Sequence, residues 1–267
     1  MSNPFLEVIN QVLPEPQASL LNGILFGVKT TLPRDLYQAL IATGTIHITA
    51  LSGQNISILS RIICGLTLPL GRKISIWITV FSIVFFVWFV GFEPTIVRAA
   101  IMGSLSLLAV YFGRRNWSLL SLILAAGIML LINLEWASTI SFQLSFLATL
   151  GIILFAGTEA KPGKEGVLFE IKRELSINLR TTLAAQICTV PVVFVYFHQV
   201  SLISPLTNVL IGSLIAPIML LGLMTGFLGW LFLPLGIVSG WFVWAPLSLL
   251  LFIVDMTSRI PFAAISF

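Results

Sequence analysis

From Thr181 to Val254 the chain contains no Asp, Glu, Lys or Arg. One helix crosses the ~30 Å hydrocarbon core of a bilayer with about 20 residues, so this run must fold back at least twice. Shorter runs without formal charge lie at Ile74–Phe92, Asn116–Leu134 and Trp136–Thr158. At ~1.5 Å per residue each is long enough to cross once. Charged residues make up only 9% of the chain and hydrophobic ones 58%, with a mean hydropathy of +1.06. A soluble domain carries roughly a quarter charged residues. The expected fold class is therefore all-α, a polytopic transmembrane helical bundle.

The first forty-odd residues read differently. Phe5, Ile9, Val12 and Leu13 share a helical face opposite Glu7, Asn10 and Gln11, and Pro14 and Pro16 end that helix. Ala18–Val28 is apolar but too short to cross upright, and a third short helix is expected from Pro33–Asp35 to Gly44. We read 1–45 as an amphipathic interfacial collar and 46–267 as one transmembrane bundle. Its expected spans are about 46–70, 74–91, 95–112, 117–134, 139–157, 176–198, 205–233 and 235–257. The range is seven to nine, because 205–233 has room for one tilted span plus a half-helix around Pro205 and Pro217. Arg72, Lys73, Arg114, Arg115, Lys161, Lys164, Lys172 and Arg173 fall on alternate loops, whereas the other short loops carry only Glu93 and Glu135. The positive-inside rule puts the basic loops in the cytoplasm and, with eight spans, both termini outside. The opening "MSNPFLEVIN" has an acidic residue where a signal peptide has its basic region, so no secretory signal is expected.

Polar groups at membrane depth cost several kcal/mol when unpaired, so they face a wet cavity or each other. The densest cluster lies in "HITALSGQNISIL": His47, Ser52, Gly53, Gln54 and Asn55. The remaining candidates are Arg61, Arg98, Gln143, Arg180, Gln186 and Asn208, with Pro191, Pro205 and Pro217 as helix-break candidates. Arg61, Arg98 and Arg180 also have stems long enough to snorkel to headgroups. The amides would equally serve to join helices, at ~1 kcal/mol each. Neither enzyme chemistry nor a cofactor is expected. Two histidines far apart and carboxylates near span ends make no metal site. "ALSGQ" lacks the nucleophile-elbow pattern, and Ser52 with His47 alone is weak evidence for nucleophilic catalysis. Cys64 and Cys188 lack metal or redox spacing and read as packing residues. A lining of neutral donors and a few arginines suits passage of an anionic, hydrogen-bonding solute better than pumping of protons or sodium.

Four stretches, in order, resemble the membrane domain of the ComEC-type competence proteins: "ATGTIHITALSGQNISIL" (42–59), "EPTIVRAAIMGSL" (93–105), "SFQLSFLATLGIILF" (141–155) and "LAAQICTVPVVFVYFHQVSLISPLTNVL" (183–210). The ending "RIPFAAISF" is similar to that family's short outer segment. The resemblance covers about 42–267. It implies a multi-pass channel of the bacterial cytoplasmic membrane that carries single-stranded transforming DNA inward during natural competence. It also implies that His47, Ser52, Gly53, Arg98, Gln143, Gln186, Pro191 and Asn208 line or scaffold the path. Asn55 stands where many members have a second histidine. Family members commonly add an outer oligonucleotide-binding-like domain and a metallo-β-lactamase-like nuclease domain. Neither is legible here, so an excised membrane core or a short, split member is expected, and nuclease activity is not carried over. Partners in this reading are the strand, membrane lipid, outer nuclease and oligonucleotide-binding domains or subunits, a cytoplasmic motor or single-strand-binding protein, and a second copy of the chain. The rival readings are a small-solute transporter with broken helices, an intramembrane serine-type enzyme acting on lipid or peptide, and a non-catalytic scaffold.

Overall fold

The computed structural model describes residues 4–28, 31–157, 167–197, 199–260 and 264–266. Among them are eleven α-helices: α1 (Pro4–Val12), α2 (Gln17–Phe26), α3 (Arg34–Ala42), α4 (Gly53–Thr67), α5 (Arg72–Val90), α6 (Pro94–Tyr111), α7 (Ser118–Ile132), α8 (Ile140–Phe155), α9 (Val167–Phe197), α10 (Ser204–Leu231) and α11 (Leu233–Ser258). Strands β1 (Gln199–Ser201) and β2 (Ala264–Ser266) pair antiparallel, Val200 opposite Ile265. The all-α bundle expected from the sequence is the observed class, and α4 to α11 follow the eight expected spans one for one. Five of them, α5, α6, the Leu175–Tyr196 part of α9, α10 and α11, are long and apolar enough to cross a membrane. At 15 or 16 residues, α4, α7 and α8 reach only about 22–24 Å.

The expected first span, 46–70, is corrected. Ile46–Thr49 is a single 3-10 turn, Ala50 and Ser52 are extended, and the α-helix starts at Gly53. Side chains take up carbonyls here and just before: Thr49 Oγ1 donates to Ile46 O at 2.8 Å, and Thr43 Oγ1, at the end of α3, to Ala39 O at 2.8 Å. At the other ambiguous place the chain forms one helix, α10, which runs on through Pro217. The span expected at 176–198 starts earlier: α9 runs unbroken from Val167 to Phe197. The loop around Lys161 and Lys164 lies outside the described residues.

Two compact units divide the chain: Met1–Leu51 with Thr158–Leu183 and Val193–Phe267, and Ser52–Gly157 with Ala184–Val192. In the first unit, α10 and α11 form a hairpin joined at Phe232. Small residues on their facing sides let the backbones approach, as is usual where apolar packing alone drives helix association. A Cβ added at Gly236 would lie 2.5 Å from Gly229 Cα. Val8 and Val12 of α1 seat over the glycines of this crossing, Val8 at Gly229 and Val12 at Gly240. The short α2 is buried from Ala18 to Leu25, its Ser19 and Asn22 included, with Leu21 and Leu25 against Gly222 of α10.

In the second unit α5 shows how such a helix sorts its faces. Ile76, Thr79, Ile83 and Val87 are buried, whereas Trp77, Phe81, Phe85 and Trp88 are exposed. Both faces are apolar, so an outward face of large aromatics suits lipid rather than water. The inward face carries the joining hydrogen bonds: Ser75 Oγ donates to Cys64 O at 3.2 Å and lies 2.8 Å from Thr67 Oγ1. Gly103 of α6 lets Ile56 and Ile83 close over it.

The Gly229–Gly236 approach leaves no room for a branched side chain, and overpacking costs about 1–3 kcal/mol. Gly236→Val is expected to unfold at lower temperature than the native chain in detergent. Gly127→Ala, whose added Cβ meets nothing within 4 Å, is expected to hold or raise it, because alanine is the better helix former by up to ~1 kcal/mol. Thermal unfolding followed by size-exclusion chromatography reads both.

Candidate functional site

The boundary between the two units falls inside the polar cluster, between Leu51 and Ser52. Its first half belongs to the first unit. Gly44 sits at φ +66°, and a side chain there would run into Ser204, at 2.8 Å from its Cβ. A left-handed turn packed against another helix start is a position only glycine fills without strain. Ser201 Oγ donates to Ala42 O at 2.8 Å, and Asn208 Nδ2 donates to Ser204 Oγ at 3.1 Å. Ala42–Gly44 and Ser201–Asn208, more than 150 residues apart in sequence, are thus held together. His47 is exposed on the 3-10 turn, with Nδ1 3.1 Å from Gly44 O. A carbonyl only accepts, so Nδ1 carries the proton and Nε2 is the free lone pair.

In the second unit, the other half of the cluster starts α4. Ser52 occupies the N-cap position, but its hydroxyl donates to Asn55 Oδ1 at 3.2 Å and makes no cap bond to the backbone. Asn55 is buried and Gln54 exposed. Gly53, the first residue of the helix, lies against α6: an added Cβ would stand 3.1 Å from Arg98 Nη2 and 3.5 Å from Ala99 Cβ. Arg98 is only 8% exposed. Its Nη1 donates to the backbone carbonyl of Ser145 on α8, and its Nε has no hydrogen-bond partner. Nor does the Ser145 hydroxyl, although Ser145 is 9% exposed. Among the described residues no carboxylate pairs with Arg98, whereas Arg259 at the end of α11 has Asp255 at 2.9 Å. A buried guanidinium met by one carbonyl is incompletely compensated, because an ionised group in an apolar surround costs several kcal/mol.

The remaining candidates are more scattered. Gln143 on α8 is partly exposed and donates to Ala137 O at 3.2 Å. Arg61 on α4 and Arg180 on α9 are exposed, consistent with stems that reach outward. Gln186 is partly exposed on the section of α9 assigned to the second unit, where Gly151 of α8 meets the Ala184 carbonyl and Cys188 Sγ. Pro191 and Pro217 lie inside α9 and α10, which continue through them, and Pro205 falls in the first turn of α10. Among the described residues no group of three or more His, Cys, Asp or Glu is placed to hold a metal ion.

Each of the four sequence elements is therefore in contact with at least one other. The first meets the last at Gly44 and Ser204, and meets the second at Gly53 and Arg98. Arg98 joins the second to the third, and Gly151 with Ala184 joins the third to the fourth. Sequence reasoning passed over Ser145, Ser201 and Ser204. All three stand within or beside quoted elements, but as ordinary small hydroxyls they give no signal until a partner is known.

Two comparisons bear on this arrangement. A family profile described as "Competence protein" matches residues 24–267. The chain is also similar to "ComE operon protein 3" of Bacillus subtilis (strain 168), with 26% identity over 204 residues, 75% of this chain and 25% of that protein. It thus spans about a quarter of that relative's length. No solved structure matches.

The hydrogen-bond pattern separates two buried serines. Ser75→Ala removes a hydroxyl shared between α4 and α5 and is expected to cost about 1 kcal/mol of stability. Ser145→Ala removes an oxygen with no partner and leaves the backbone carbonyl to Arg98 intact, so it is expected to hold stability or raise it by up to about 1 kcal/mol. Denaturant or thermal unfolding in matched detergent distinguishes the two.

Proposed function

Because the chain belongs to the competence protein family, we propose that it forms a membrane conduit through which single-stranded DNA enters a bacterial cell. The strand is taken to cross the cytoplasmic membrane, with both termini of this chain on the outer side. The observation that carries the reading is Arg98, a cation retained inside an apolar helical unit at the meeting point of three of the sequence elements. Ionisable groups kept at such depth are costly and mark the paths of charged solutes.

The physics of the cargo fits that lining. Each nucleotide brings one phosphate charge, which cannot enter hydrocarbon without water, donors or cations to replace its hydration. Dense fixed cations would trap the strand, since each phosphate contact adds salt-sensitive affinity. Sparse arginines among amides and hydroxyls, as at Ser52, Gln54, Asn55, Gln143, Gln186 and Asn208, compensate charge while permitting release. Arg61 and Arg180, both exposed, are assigned to the approaches. His47 is assigned to the outer mouth.

A conduit, rather than an enzyme, also accounts for the hydroxyl and imidazole. Ser52 is turned to Asn55 and the His47 Nδ1 proton to Gly44 O, so each is used in shaping its own turn. Energy for movement is assigned to a partner. Outer nuclease and oligonucleotide-binding functions are likewise assigned to other domains or subunits, together with a cytoplasmic motor or single-strand-binding protein and self-association of this chain.

Arg98→Gln is expected to lower DNA import at least tenfold without changing the amount of protein in the membrane. Arg61→Gln is expected to have a smaller effect. Nuclease-protected uptake of labelled DNA, in a competent bacterium whose own copy of the gene has been deleted, measures both. Normal import by Arg98→Gln would remove the central support for the reading. Single-stranded-DNA-independent uptake of a small solute by reconstituted vesicles would favour a transporter.

A further inference from the structure

We propose that the first turn of α4 and the Arg98 guanidinium together form a station that holds one phosphodiester group of the passing strand. This rests on the conduit reading and adds the place where the backbone of the strand is gripped.

A helix start presents backbone N–H groups and the positive end of the helix dipole, an arrangement suited to anions. The start of α4 lacks the usual side-chain cap, because the Ser52 hydroxyl is directed to Asn55 Oδ1. Independently, a cation is aimed at the same turn. Arg98, 8% exposed, brings Nη2 so near Gly53 that a Cβ on that residue would stand 3.1 Å from it. Nη1 is held by the Ser145 carbonyl, Nε is unpartnered, and no carboxylate among the described residues balances the charge. The carbonyl fixes one arm of the guanidinium fork, and the fork has further N–H donors whose planar spacing matches the oxygens of a phosphate. Glycine at position 53 lets that fork lie directly against the start of the helix.

The anion is assigned as a phosphodiester rather than a lipid phosphate because Arg98, 8% exposed, is set inward, away from the outward aromatic face that carries Trp77 and Phe81. One such station gives a weak, renewable grip. The strand advances by exchanging one phosphate for the next, without the affinity that a row of cations would impose.

The test uses the full chain in phosphatidylcholine nanodiscs, with fluorescence anisotropy of a labelled 20-nucleotide oligothymidylate and of its uncharged methylphosphonate counterpart. The native protein is expected to bind the phosphodiester oligomer in a salt-dependent manner and the methylphosphonate at least tenfold more weakly. Arg98→Gln is expected to weaken phosphodiester binding about tenfold and to flatten the log–log salt dependence by ~0.7, the share of one phosphate contact on a single strand. Gly53→Ala keeps Arg98 but crowds its Nη2, and is expected to weaken binding severalfold; it tests the station even if Arg98→Gln does not fold. Unchanged affinity and salt slope in the variants, with strong binding by the native chain, would overturn the station and leave the conduit standing. Absence of binding by the native chain would remove both. If Arg98→Gln loses co-purifying phosphatidylglycerol but binds the oligomer normally, the occupant is a lipid phosphate and the station for DNA is overturned.

Discussion

In an apolar surround every polar group has to find its partner inside the protein, because neither lipid nor a packed core supplies one. Many hydroxyls of this chain meet the requirement locally, returning to a carbonyl one helical turn back, as Thr79 does to Ser75 and Thr149 to Ser145. Such bonds leave nothing to be satisfied from outside. The exceptions are what give the molecule its organisation. Ser201 reaches Ala42, Ser75 reaches Cys64 and Thr67, and Arg98 reaches Ser145. Ser201 and Arg98 tie together elements distant in sequence, Ser75 joins two neighbouring helices, and Arg98 brings a full charge to the task.

The helices themselves are held by close approach rather than by polarity. Glycines at 229, 236 and 240 admit Val8 and Val12, so the first short helix of the chain is seated on the last hairpin. Gly222 does the same for Leu21 and Leu25 of α2. Small residues at helix crossings gain dispersion contacts along the backbone, the main attraction available where both surroundings are equally apolar. Bulk is placed outward instead, in aromatics such as Trp88 and Phe252.

Much of this was legible in the sequence. Charge-free runs bounded by Arg72–Lys73, Glu93, Arg114–Arg115 and Glu135 give the helices α5, α7 and α8 to within a few residues, because a formal charge rarely sits mid-span, and Arg98 is the exception inside α6. The same averaging misread 46–70 as one helix. Hydropathy does not register that Thr45, Thr49 and Ser52 can hold a chain in a 3-10 turn and an extended step, and apolar neighbours hid the break. The helix α9 begins at Val167, ahead of the apolar run expected at 176–198, because helix formation continues across a change of polarity when no glycine intervenes. Of the candidate site, Gly53 and Arg98 were both singled out, but their meeting was not legible. It depends on the packing of α4 against α6, which no local pattern encodes. Ser145 and Ala184 contribute mainly backbone carbonyls, and a carbonyl has no signature in sequence.

If the start of α4 faces the passing strand, a photo-reactive amino acid at the exposed Gln54, one residue from Gly53, should touch DNA during uptake. The direct measurement is crosslinking in living competent cells fed labelled DNA, comparing a probe at position 54 with one at the outward-facing Phe81 of α5. The account predicts single-stranded DNA attached at 54 and only lipid at 81. Equal labelling at both positions, or lipid alone at 54, would contradict it.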